Sequence, residues 1–263
     1  MQRLREITPG VLVATADAYT TTSTVVVADD GGCLVIDPAV SVADLAALAV
    51  GLAGAGLRPR AGFATHPHWD HVLWSRDLGD VPRYAAPAAV AAAASQREEM
   101  ITRVQEEAPG HDLALFGRLV PLPAGAGAIP WDGPAAQVIA HNGHAPGHGA
   151  VFLPDAGVLM AGDMLSDSEI PLLDTDASDP LGDYRAGLRL LAAVPGVRWL
   201  VPGHGHVADA GEYRRRLDAD ARYLDLLAAG EPFDDPRCTQ PWLRDWHRQQ
   251  LQSVAGLNED DLN

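Results

Sequence analysis

The chain repeats one local grammar twice, and that repetition limits its architecture more than any other feature. "DGGCLVID" (30–37) and "DAGVLMAGD" (155–163) each read as a turn, an apolar strand and an aspartate. "GFATHPH" (62–68) and "RWLVPGH" (198–204) each read as an apolar strand, a loop and a histidine. A helical pattern separates the members of each pair. In the first half Ser41 is placed to cap a helix, with Asp44 three residues on, and Leu45, Leu48, Ala49 and Leu52 follow at helical spacing. In the second, Asp179 and Pro180 fit the N-cap and first helical position, and Tyr184, Leu188 and Leu191 line one face. The expectation is two similar α/β halves packed face to face, with polar groups gathered at one edge of both sheets.

The rest of the chain fits around these halves. "GVLVATA" and "TSTVVVA" predict strands in the first forty residues. Residues 87–107 read as helical, 111–160 as strands and turns, 210–228 as a helix burying Tyr213, Leu217, Leu224 and Leu227, and 241–254 as a last helix. No stretch is long or polar enough to act as a linker. The expectation is a single domain over 1–263 with a C-terminal helical segment at about 231–263. With 47% hydrophobic residues, a substantial core can be buried. A formal charge of −16 repels phosphate, which argues against nucleic acid and anionic membrane as partners. All 19 basic side chains are Arg, so lysine Schiff-base and P-loop lysine chemistry are excluded. Cys33 and Cys238 make no disulfide framework. The first residues lack the apolar run of a signal peptide, and no window approaches 18 uninterrupted apolar residues. The default expectation is a soluble cytoplasmic protein acting on a small molecule, its oligomeric state open.

The chemistry concentrates in "FATHPHWDHVLW" (63–74), where His66, His68, Asp70 and His71 fall within six positions. A His-x-His pair behind a strand lets two imidazoles converge on one cation, and imidazole and carboxylate both suit zinc. Asp70 and His71 are then free to face a second cation. "HNGHAPGHG" (141–149), "MAGDML" (160–165) and "VPGHGH" (201–206) bring further donors, all at strand-to-loop transitions. A single catalytic zinc needs three protein ligands and a water, so the surplus points to two metals.

With "GHAPGH", "GD" and "PGHG" following in that order, "HPHWDH" resembles the metallo-β-lactamase-fold hydrolase superfamily over essentially the whole chain. The resemblance implies a four-layer αββα sandwich of two similar halves. It implies that His66, His68 and His144 hold one metal, that Asp70, His71 and His204 hold another, and that Asp163 bridges them. It also implies a dinuclear hydrolase, with two zinc ions per chain (iron or manganese being alternatives), in which a shared hydroxide cleaves a small ester, lactone or thioester. Asp70 would orient the nucleophile and carry the proton to the leaving group.

Departures narrow the branch. The aspartate at 163 differs from the Cys or Ser common in zinc β-lactamases. No Tyr follows it closely in "DMLSDSE", unlike acyl-homoserine lactonases. Position 68 is His rather than the Glu of flavodiiron enzymes. Glyoxalase II carries basic residues for glutathione near its C-terminus, where Arg244 and Arg248 stand here. A different reading resembles the persulfide dioxygenases, which bind one iron through two His and one Asp; a third makes the chain a scaffold on an inactive hydrolase fold. Outside the ligand set, Asp37 resembles the family's structural aspartate, expected to bond loop amides. His148 and His206 are expected beside the site and not in it. His141 is expected either behind the ligands or in a solvated turn, and His111 and His247 as ordinary surface or helix residues. Trp69 and Trp74 are expected in core or pocket wall. Loops at 20–23, 72–76, 165–180 and 231–247 would shape the pocket. Trp242 and Trp246 would dock the last helix, and Arg244 and Arg248 would meet an anionic substrate tail.

Overall fold

A computed structural model describes residues 4–38, 40–230 and 233–255. The flanks of the expected C-terminal segment, 231–232 and 256–263, lie outside the described residues. Two sheets make up the centre. The first runs in the order β1 (Arg5–Thr8), β2 (Val11–Thr15), β3 (Thr22–Val27), β4 (Gly32–Ile36), β5 (Arg58–Phe63), β6 (Arg83–Ala85) and β7 (Val120–Pro121). Its first four strands form an antiparallel meander, and β4 to β7 are parallel. The second sheet comprises β8 (Gln137–His141), β9 (His148–Leu153), β10 (Val158–Gly162), β11 (Trp199–Pro202) and β12 (Ala208–Asp209), in the order β12-β11-β10-β9-β8.

The repeated grammar has a structural counterpart. In one half β4 leads through α1 (Val42–Gly54) to its parallel neighbour β5; in the other β10 leads through α4 (Pro180–Ala192) to its parallel neighbour β11. Parallel neighbours end at the same edge, so Asp37, the 64–71 loop, Asp163 and the 203–206 loop share one rim.

Alternation along the strands separates the layers. Cys33 and Val35 of β4 face out against α1, while Leu34 and Ile36 face the second sheet. Leu159 and Ala161 of β10 face the opposite helical layer, while Val158 and Met160 return toward the first sheet. A side-chain period of two places each set on its own face. Three apolar layers result. One lies between the sheets. The second lies under α1, α2 (Pro87–Ser95) and α3 (Arg97–Glu107). The third lies under α4, α5 (Ala210–Ala229) and α6 (Pro241–Ala255). This is the expected four-layer αββα sandwich.

The helix starts lie where their capping chemistry puts them. Ser41 and Asp44 form a reciprocal capping box, and the Asp179 carboxylate accepts from Gly182 N at 2.9 Å ahead of Pro180. The 87–107 helix is divided at Gln96, whose φ of −98° and ψ of 8° leave the α region. Both cysteines are free. Among the described residues no helix is long and apolar enough to cross a membrane.

One expectation needs correction. The tryptophans do not dock α6: Trp242 is 37% exposed and Trp246 is half-buried, whereas Leu243, Gln250 and Leu251 are buried. The helix turns the i, i+7, i+8 face inward, and Trp242 is one residue off that stripe.

Ser41→Ala is expected to cost about 1 kcal/mol, the usual worth of an N-cap side chain. The measurement is the urea-unfolding midpoint. Because the Ser41 side chain bonds Asp44 and none of the donor residues, metal content should not change with it.

Candidate metal centre

Seven side chains from four separate segments converge on the rim. The 64–71 loop after β5 brings His66, His68, Asp70 and His71, the β8–β9 turn brings His144, the end of β10 brings Asp163, and the loop after β11 brings His204. Their donor atoms form two groups, one of His66, His68, His144 and Asp163, the other of Asp70, His71 and His204. In the first, His68 Nδ1 lies 3.1 Å from His66 Nε2 and 3.0 Å from His144 Nε2. In the second, His204 Nε2 lies 3.2 Å from both His71 Nε2 and Asp70 Oδ2. Asp163 joins them: Oδ2 is 3.3 Å from His66 Nε2 and 3.2 Å from His204 Nε2, and Oδ1 is 3.2 Å from His71 Nε2. Every residue expected in the ligand set is therefore in place beside the others.

The outer side of each imidazole fixes which nitrogen is offered. The Thr65 hydroxyl donates to Asp37 Oδ2 at 2.6 Å and lies 3.0 Å from His66 Nδ1, so it accepts from that nitrogen and leaves Nε2 as a free lone pair. The Leu172 carbonyl accepts from His144 Nδ1 at 2.7 Å, and the Tyr19 carbonyl accepts from His204 Nδ1 at 2.9 Å. Asp37 Oδ2 lies 3.1 Å from His71 Nδ1. Partners of this kind orient metal-binding imidazoles and raise their basicity. Asp37 itself accepts from Thr65 N at 2.8 Å, which matches the loop-amide role expected of it.

Electrostatics divides the two groups. Burial pushes His68 well below the ordinary imidazole range and His144 down to about 4, so these two offer neutral nitrogens. Burial also opposes charge on His71 and His204, yet Asp163 and the neighbouring carboxylates hold both well above that range. Asp70 and Asp163, despite burial, are held low by His71 and His204. Protons there balance the charge that a cation balances when bound. Asp163 Oδ1 is buried without a hydrogen bond, and imidazole nitrogens aim at one another at about hydrogen-bond distance. This donor set fits a pair of divalent cations, since N and O donors converge with their lone pairs inward.

The other histidines lie outside both groups. His148 is fully buried against Gly162, where a Cβ would come within 2.1 Å of His148 Nε2. His141 Nδ1 accepts from Gly143 N at 3.1 Å, and His206 pairs with Asp167 at 3.0 Å. His111 bonds the Val40 carbonyl at 2.8 Å. His247 is half-buried against Phe233. Trp69 is buried, with Tyr19 edge-on at 6.2 Å. Trp74 is core, donating to the Gly79 carbonyl at 2.9 Å.

Sequence reasoning did not find Glu169. Its carboxylate reaches 4.0 Å from His204 Nδ1, and burial pushes it up to about 7. Nothing in "SDSE" distinguishes it. The carbonyls of Tyr19 and Leu172 were equally invisible, since a backbone acceptor carries no side-chain signal. Arg244 and Arg248 do not gather toward the rim. Both are exposed, one on the Cys238 carbonyl and the other paired with Asp245.

Comparison with known proteins agrees with this geometry. Residues 17–261 match the model of the metallo-beta-lactamase superfamily, and the chain belongs to that superfamily. A hydroxyacylglutathione hydrolase of Rhodobacter capsulatus is 31% identical over 193 residues, covering 68% of this chain and 66% of its own length. The chain thus spans about two thirds of that relative. A beta-lactamase domain protein from Burkholderia ambifaria shares the fold with a TM-score of 0.68 at 17% identity, over 98% of this chain and 92% of its own. The protein TTHA1623, solved in a di-iron-bound form, superposes with a TM-score of 0.58 at 27% identity, over 78% of this chain and 97% of its own.

His144→Ala should cost the protein one bound metal ion, while His148→Ala should retain both. Metal analysis of the two purified variants decides between them, and the reverse pattern would move the ligand assignment to His148.

Proposed function

We propose that the chain is a metal-dependent hydrolase with a dinuclear centre, acting on a small ester, lactone or thioester. The observation that carries this reading is the sharing of Asp163 between two adjoining donor groups. Zinc suits the N/O donors; iron also fits them, and the di-iron form of TTHA1623 supports keeping it in view. When bound, a pair of divalent cations polarises a substrate oxygen and lowers the pKa of a water to about 7. The thioester is the first substrate class to test, because the relative from Rhodobacter capsulatus is named for one.

The chain's own residues supply orientation and proton handling. The Thr65 hydroxyl, the Leu172 carbonyl and the Tyr19 carbonyl bond the outer nitrogens of His66, His144 and His204, and Asp37 sets a carboxylate 3.1 Å from the outer nitrogen of His71. Fixed donors need no reorganisation as charge develops on the substrate. Asp70 is the most accessible carboxylate of the set, with an 11% exposed side chain against 6% for Asp163. It sits at the edge of the second group, where it would orient the attacking water and carry a proton to the leaving group. Trp69 and Tyr19 form an aromatic wall next to it. On this reading the chain is a single domain of a cytoplasmic protein that takes a small molecule as substrate.

Asp70→Asn should lower turnover by about 10²–10⁴, the usual cost of losing a positioned acid–base group, while the unfolding midpoint changes little. Steady-state kinetics on a panel of thioesters, lactones and phosphodiesters provides the measurement. Metal analysis of protein purified without added metal tests the centre itself. A single iron per chain with oxygen uptake on a persulfide would overturn the hydrolase reading.

A further inference from the structure

We infer that Gln250, on the C-terminal helix, is a positioning residue for His144, acting through the one peptide group that joins Leu172 to Leu173. The inference rests on the reading of His66, His68 and His144 as one metal site.

Gln250 is fully buried on the face of α6 that also buries Leu243 and Leu251. An amide in such a layer is costly unless both ends find partners. Here both do. Gln250 Oε1 accepts from Leu173 N at 2.6 Å, and Gln250 Nε2 donates to the Tyr223 hydroxyl at 2.8 Å. That hydroxyl lies 2.9 Å from His247 Nδ1.

The Leu173 N–H and the Leu172 C=O are the two ends of one planar trans peptide group. The carbonyl end accepts from His144 Nδ1 at 2.7 Å. Residues 171–174 belong to no helix or strand, so no ladder sets the angle of this plane. Its two end bonds hold it, His144 at one end and Gln250 at the other, beside the packing of the buried Leu173 side chain. The plane is rigid, so it cannot rotate away from Gln250 without also swinging the carbonyl off His144. The His144 Nδ1–H bond to that carbonyl is what leaves Nε2 free to face the cation. Each bond in the series also polarises the next. The C-terminal helix thereby acts, through one peptide group, on the angle of a donor residue.

A structural role alone would make Gln250 a tie between α6 and the sandwich. The two roles separate in metal affinity. Purified wild type, Gln250→Met, Tyr223→Phe and the Gln250→Met/Tyr223→Phe double variant are loaded with zinc and dialysed against graded concentrations of a weak chelator. Metal per chain and thermal unfolding are then measured. Wild type should hold two ions. Gln250→Met should lose one of them at a chelator concentration about 10–100-fold lower, the usual effect of removing a partner behind a ligand. Tyr223→Phe keeps the Leu173 bond, so it should hold both ions like wild type even where its unfolding temperature falls. The double variant removes the tether without stranding the tyrosine hydroxyl, so it carries the test if Gln250→Met does not fold. In a His144→Ala background, Gln250→Met should add no further loss, because the effect passes through His144. If Gln250→Met or the double variant holds both ions as tightly as wild type, or if Tyr223→Phe loses one equally, the inference is overturned. A wild type that never holds two ions would instead bring down the dinuclear reading and this inference with it.

Discussion

Seven donor groups are pressed together in a buried rim, and the rest of the structure answers the cost of that crowding. Imidazole nitrogens stand 3.0–3.2 Å apart with lone pairs inward, around carboxylates that are nearly excluded from water. Like dipoles and buried charges repel and lose hydration, so such an assembly keeps its shape only if each group is held from behind. Each backing group comes from a different part of the chain. Tyr19 stands ahead of β3, Asp37 follows β4, Thr65 follows β5, and Leu172 lies in the loop after β10.

Strain gathers at the same place. The non-glycine residues with left-handed backbone among the described residues are Tyr19, Thr20, Asp37 and Leu165. The Tyr19 carbonyl backs His204, and the Thr20 carbonyl accepts from Gly205 N at 3.1 Å. Asp37 backs His71, and Leu165 follows Asp163 by two residues, with its N–H on the buried Asp220 carboxylate. Each such conformation costs on the order of 1 kcal/mol and persists only where the surroundings over-determine it. Arg237 and Arg216 help to do so. Arg237 Nη1 holds Asp220 at 2.6 Å, and Arg216 Nη1 donates to the carbonyls of Leu165 and His206.

The two donor groups differ in what stands behind them. The first is backed by a hydroxyl and a carbonyl, the second by Asp37 and, more distantly, Glu169. Each group holds one carboxylate of the seven donors, Asp163 in the first and Asp70 in the second, and the first group sets three imidazoles beside its carboxylate against two in the second, so imidazole angles weigh more there.

Much of this was legible in the chain. Strand–helix–strand repeats ending in Asp and His imply two halves with donors on a shared rim, because side-chain period and capping chemistry are local properties that survive folding. The donors from His66 to His204 were legible as ordered motifs at strand-to-loop transitions, and their sorting into two metal groups came from the resemblance those motifs carry. The sequence also put the last helix at 241–254, but it misjudged the buried face: the tryptophans drew attention, and Leu243, Gln250 and Leu251 do the docking. What only the tertiary structure decided is which atoms stand behind the donors. The carbonyls of Tyr19 and Leu172, the carboxyl of Glu169 and the amide of Gln250 act through distance and direction across elements far apart in the chain. A backbone carbonyl is the same at every residue, and a glutamine on a helix is ordinary until packing buries it, so no local pattern could reveal them.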